Sequence, residues 1–149
     1  MKPYIRFGAM IATSTVVMYC LTYLNTYALD HVFFSEMRVY MALLMGAAMA
    51  VVMLSFMLKM HESRAVNAAI YLGSAAVFAL ALWLVRSQAT VDQVSYMRAM
   101  IPHHSIAILT SERAEITDPR VRQLADEIIE AQRKEIAEMK GLIAELEGR

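Results

Sequence analysis

Met97, Met100, His103 and His104 place two thioethers and two imidazoles inside the short stretch Met97-Arg-Ala-Met-Ile-Pro-His-His104. At about 100° per residue, Met97, Met100 and His104 fall within about 60° of one another on a helix. His103 lies on the other side of Met100, still close to it. Soft thioether combined with imidazole suits copper, Cu(I) ahead of Cu(II), better than magnesium, calcium or manganese; zinc would use the imidazoles and gain little from Met. Pro102 has no N–H, so the Arg98 carbonyl loses its helical partner, and a kink is expected that re-aims the rings beside it.

A second helix offers donors from across the pair. Gln132, Glu135 and Met139 follow at i, i+3 and i+7 on, or at the edge of, an apolar face. Polar groups on a packing face are costly without partners. Met139 is the fifth candidate ligand, and Glu135 or Gln132 is placed to hold a His ring by its second nitrogen. Plainer readings exist for each. A Met at helical spacing is commonly core filler, an inward Glu135 pairs with Arg98 or Arg113, and Gln132 bonds to backbone.

These residues need two helices. Thr90-Val-Asp-Gln93 fits a capping box with Asp92 near the helix dipole. Ile116-Thr-Asp-Pro-Arg120 is a break and restart, with Asp118 as N-cap and Pro119 in the first turn. The spacing predicts helices over about 91–115 and 119–147, closed by Gly148 and forming an antiparallel hairpin domain over 90–149. No strand pattern occurs, so the fold class is all-α. Leu124, Ile128, Ala131, Glu135, Met139, Leu142 and Leu146 share one face of the second helix, opposite Arg122, Asp126, Glu130, Arg133 and Lys140. Two helices cannot cover such a stripe alone. Pairing two hairpins into a four-helix bundle, a homodimer, is the expectation, with docking on the membrane part of the same chain as the alternative.

The rest of the chain is built for lipid. Of 149 residues 58% are hydrophobic, and the runs 7–29, 39–58 and 65–85 carry no charge. A helix needs about 20 such residues to span the hydrocarbon core. Residues 1–86 therefore read as a membrane region of three spans. The first run is too long for a signal-peptide core and has no small-x-small site before Asp30. Lys2, Arg6, Lys59 and Arg64 put the N-terminus in the cytoplasm by the positive-inside rule, and three crossings put the hairpin outside; Arg86 runs against that count. In the second span and its flank Met37, Met41, Met45, Met49, Met53 and Met57 recur every four residues. Such a row winds slowly around a helix. It reads either as flexible packing or as a thioether path for a soft cation, like the Met-x-x-x-Met of eukaryotic copper permeases, though in the opposite orientation. His31 and Met60-His61 flank that span. Cys20 is the single cysteine, so no disulfide framework exists. Zero net charge without a basic block gives no reason to expect nucleic acid.

Met97-x-x-Met100-Ile-Pro-His103-His104-x-x-Ala107, Leu124-Ala125, Ile128-Ile129 and Gln132-x-x-Glu135-Ile136-x-x-Met139 resemble the domain-of-unknown-function family 305, which includes CopM-like periplasmic copper-binding proteins. The resemblance covers about a third of the chain and almost all of the hairpin. It implies a ferritin-like helical bundle, copper or silver (Ag(I)) binding, and Met97, Met100, His103, His104 and Met139 as ligands. Many members carry two hairpins or Met-rich tails. This chain has one hairpin and three spans, on which the family is silent.

The expectation is a membrane-anchored copper buffer or metallochaperone at the periplasmic face of a bacterial inner membrane, exchanging metal with other copper-handling proteins. The competing readings are a copper permease, or a subunit of one, using Met41, Met45, Met49, Met53 and Met57, and a metal-free structural anchor. An enzyme is not expected: a di-iron site needs Glu-x-x-His motifs, absent here, and neither a Ser/His/Asp set in suggestive context nor a phosphate loop is present.

Overall fold

The computed structural model describes residues 2–148. Its described residues form five α-helices and no strand: α1 (Lys2–Leu21), α2 (Glu36–Phe56), α3 (Arg64–Ser87), α4 (Gln93–Arg113) and α5 (Pro119–Glu147), with 3₁₀ turns at Leu29–His31 and Leu58–Met60. α1, α2 and α3 are long and apolar enough to cross a membrane. The chain divides into two compact units, one of residues 1–22 and 37–90, the other of residues 23–36 and 91–149.

In the first unit, Phe7 of α1 and Ala50 and Leu54 of α2 form a buried cluster, with Ile70 and Tyr71 of α3 packed on it. The buried seam of α2 is made of small residues, Ala42, Gly46, Ala47 and Ala50, ending at Leu54. Small side chains let helix backbones approach closely where lipid offers no hydrophobic drive for association. Gly46 marks the closest approach, since a Cβ there would stand 2.4 Å from Thr15 Oγ1. Gly46→Ala is accordingly expected to loosen the α1–α2 crossing at a cost of about 1–3 kcal/mol, read as faster hydrogen exchange in α1. Gly73→Ala, with open space around it, serves as the control.

α1 ends at Leu21, earlier than the uncharged run to Leu29 predicts. Hydroxyls explain the stop: Thr22 Oγ1 donates to the Tyr19 carbonyl at 2.6 Å and Thr26 Oγ1 to that of Tyr23 at 2.9 Å, offering the backbone an alternative to the helix ladder. Arg38 donates to the Thr22 carbonyl as well. The helix also starts earlier, at Lys2. Residues 23–36 consequently belong to the second unit and not to the membrane region assigned over 1–86.

In the second unit α4 and α5 run past each other in opposite directions: Arg98 pairs with Glu147, His104 with Glu135 and Glu112 with Arg133. Met97, Ile101 and Ile108 of α4 and Ile136 and Ile143 of α5 form the core. Asp118 caps α5 through the Arg120 N–H at 2.9 Å, as expected. α4 is capped by Asp92, whose carboxylate accepts from the Ser95 N–H at 2.7 Å and is held below its usual pKa chiefly by that bond. Thr90 is not the cap; its hydroxyl bonds to that of Tyr40 at 2.7 Å.

The buried stripe of α5 is Ala125, Ile136 and Ile143, turned about one residue from the row expected from the sequence. Leu124 and Leu142 of that row stay exposed. What covers the helix pair is the same chain's segment 23–36, a strap whose Phe33 packs on the core. Ser105, with no exposed surface, fastens the strap. Its Oγ accepts from the Tyr27 N–H at 2.7 Å and bonds to His31 Nδ1 at 2.9 Å. Asp30 receives Lys140 Nζ at 2.6 Å, and the Tyr27 hydroxyl donates to Glu112 at 3.2 Å.

This fastening is pH-sensitive. Ser105 Oγ, which accepts from the Tyr27 N–H, can also give its own proton to a neutral His31 at Nδ1. Burial foremost, then the Lys140 charge, lower the His31 pKa from 6.5, against the opposing pull of Asp30. A depressed folded-state pKa means that the unfolded chain takes up the proton first. The contribution is therefore complete above 6.5 and falls as pH drops below it. Amides of 23–36 are expected to exchange faster at pH 5 than at pH 7.5 after correction for intrinsic rates, and His31→Phe should flatten that difference.

Candidate metal centre

α4 continues through Pro102 as one helix, and Pro102 itself is buried against the core. On the flank of the α4–α5 pair lies a cleft of about 710 Å³. Met97, Met100 and His104 line it from α4, and Glu135 and Met139 from α5. Met97 is also a core residue, only 7% exposed, and Met139 packs on the same core. The packing and ligand readings of these two thioethers therefore coexist. Met100 and His104 are half-buried.

The ring of His104 is held at both nitrogens. Nδ1 lies 3.0 Å from the Met100 carbonyl, which can only accept, so Nδ1 carries a proton. Nε2 lies 2.7 Å from Glu135 Oε2. Two charge states satisfy that contact: an imidazolium donating to the carboxylate, or a neutral ring accepting from a protonated Glu135. A proton shared there is one a metal ion can displace, leaving Nε2 as the donor atom and the Met100 carbonyl as the group that fixes the tautomer. Glu135 thus meets the histidine, as one sequence reading has it, and pairs with neither Arg98 nor Arg113; Arg98 is bound to Glu147.

Two expected members stand apart. His103 is exposed and does not line the cleft, its ring centroid 6.2 Å from that of His104. Gln132 is half-buried and also lies outside the cleft lining. Glu138 and Glu145, which the sequence reading missed, line the cleft with Glu135. Their spacing of three and seven residues is the signal that could have found them. The lining contains no Lys or Arg, so its electrostatics favour a cation. Among the described residues no three His, Cys, Asp or Glu side chains gather at one point. A metal here would rest mainly on sulfur, and the donor set of three thioethers, one imidazole and one carboxylate fits a soft ion.

Of the methionine row, Met41 is exposed and Met45, Met49 and Met53 are half-buried, one position off the small-residue seam of α2, while Met57, also half-buried, lies just beyond the helix.

Comparison with known proteins agrees with this division of the chain. The family model described as "Domain of unknown function (DUF305)" matches residues 92–149, the whole α4–α5 segment. Over 145 residues the chain is 32% identical to "Uncharacterized protein L153" of Acanthamoeba polyphaga mimivirus, covering 93% of each. The chain belongs to the DUF305 family. The likeness to the viral relative extends beyond residues 92–149, into α1, α2 and α3. No solved structure matches the chain.

Proposed function

We propose that this DUF305 protein is a membrane-anchored copper-binding protein, a buffer or metallochaperone for Cu(I), with Ag(I) or Cu(II) as alternative cargo. In this reading the three spans cross a bacterial inner membrane, the N-terminus is cytoplasmic, and the α4–α5 hairpin faces the periplasm, where it passes metal to other copper-handling proteins. The observation that carries the reading is the cleft where Met97, Met100, Met139 and His104 converge beside Glu135, Glu138 and Glu145 without an opposing cation. Thioethers do not titrate, so they hold Cu(I) without competing with protons. Metal at His104 Nε2 takes the place of the hydrogen bond that this nitrogen shares with Glu135. The carboxylates raise the local cation concentration.

Protein purified without chelator from copper-replete cells is expected to retain copper on elemental analysis and to take up Cu(I) in competition with a soft-metal indicator. Absence of both would overturn the reading. A homodimer is also proposed, since Val121, Leu124 and Leu142 leave an apolar row of α5 exposed beside the strap-covered core. Leu124→Ser with Leu142→Ser should then shift the sedimenting species to monomer, whereas unchanged sedimentation would rule that dimer out.

A further inference from the structure

The turn between α2 and α3 encloses a second gathering of sulfur and imidazole. A cavity of about 300 Å³ is lined by Met10 of α1, Met57 and Met60 of the turn, and His61. His61 is 2% exposed, a cost that a polar ring incurs only with partners. Its Nδ1 lies 2.9 Å from the Met57 carbonyl and therefore carries the proton. Nε2 is left with a lone pair, buried and without a hydrogen-bond partner. This is the tautomer a metal-binding imidazole needs, with the carbonyl in the orienting role.

The surroundings hold the ring in place. Tyr4 and Phe7 meet it edge-on, with centroids at 4.7 and 5.5 Å. Asn67 Nδ2 donates to the His61 carbonyl at 2.8 Å and the Tyr4 hydroxyl donates to Asn67 at 2.9 Å, tying the turn to α1 and α3. Three thioethers and one neutral imidazole make an uncharged donor set suited to a monovalent soft ion and poorly suited to Mg²⁺, Ca²⁺ or Zn²⁺. Lys2 and Arg6 also line the cavity. Both are exposed, so their charges are largely screened by solvent. They disfavour a divalent ion more than a monovalent one.

We propose that Met10, Met57, Met60 and His61 form a second soft-metal site, for Cu(I) or Ag(I), in the membrane unit. It shares no residue with the α4–α5 cleft and stands whether or not the cleft binds metal. The test uses full-length protein in zwitterionic nanodiscs titrated with Ag(I) against a competing chelator. In a chain carrying Met100→Leu and His104→Ala, which disables the cleft, one Ag(I) equivalent should remain bound. Adding Met10→Leu, Met57→Leu and Met60→Leu, which conserves volume and leaves His61 and its hydrogen bond in place, should weaken that equivalent at least tenfold. Loss of all Ag(I) binding in the first variant, or no weakening in the second, overturns the proposal.

Discussion

Replacing Met100 by Leu and His104 by Ala, in a chain whose Met10, Met57 and Met60 are already Leu, is expected to lower Cu(I) affinity by more than ~100-fold. Removing only an orienting partner of a metal-bound histidine costs about 10–100-fold, and this pair of changes removes two donors from the cleft. Glu135→Gln should lower affinity less than that pair does, because it keeps the size of the side chain and removes one carboxylate, 2.7 Å from Nε2, from the cleft. His103→Ala should leave affinity within about twofold of the parent, since loss of an exposed side chain outside the cleft removes no donor. The contrast between adjacent histidines is sharp. Competition titration with a chromogenic Cu(I) chelator measures all three.

The second large effect is on stability. Ile101 has no exposed surface and sits at the centre of the core between α4 and α5. Ile101→Ala is expected to cost about 2–5 kcal/mol, the transfer loss plus the cavity left behind. For a unit of this size each kcal/mol lowers the melting temperature by about 4–8 °C. The second unit should therefore melt on the order of 10 °C or more lower, read by hydrogen exchange in α4 and α5. Leu142→Ala, on an exposed position, should stay within about 0.5 kcal/mol in the monomer. Full-length protein is needed for this measurement, because a fragment beginning at residue 91 lacks Phe33 and the partners of Ser105.

How much of this was readable beforehand differs from residue to residue. α5 was legible because Asp118-Pro119 and Gly148 are strong local punctuation. The α4 cluster was legible because helical spacing alone brings Met97, Met100 and His104 to one side. The end of α1 was not, since an uncharged run says where lipid is tolerated and not where hydroxyls take over the backbone carbonyls. The strap was hidden for a deeper reason. Ser105 and His31 are 74 positions apart, and no periodicity links residues that meet only through tertiary folding. Nor does any periodicity show that Phe33 packs on the helix pair while Leu124 and Leu142, on the row drawn for a partner hairpin, stay exposed in the single chain. Pairing of Glu135 with His104 was one of several open options, and only the two ring contacts decide among them.

The most direct measurement of the central claim is X-ray absorption at the copper edge of full-length protein carrying Met10→Leu, Met57→Leu and Met60→Leu, loaded with one equivalent of Cu(I). The account expects a first shell in which sulfur outnumbers nitrogen and oxygen, with one imidazole that disappears in His104→Ala. A shell of nitrogen and oxygen alone, or an imidazole signal that survives His104→Ala and vanishes in His103→Ala, would contradict it.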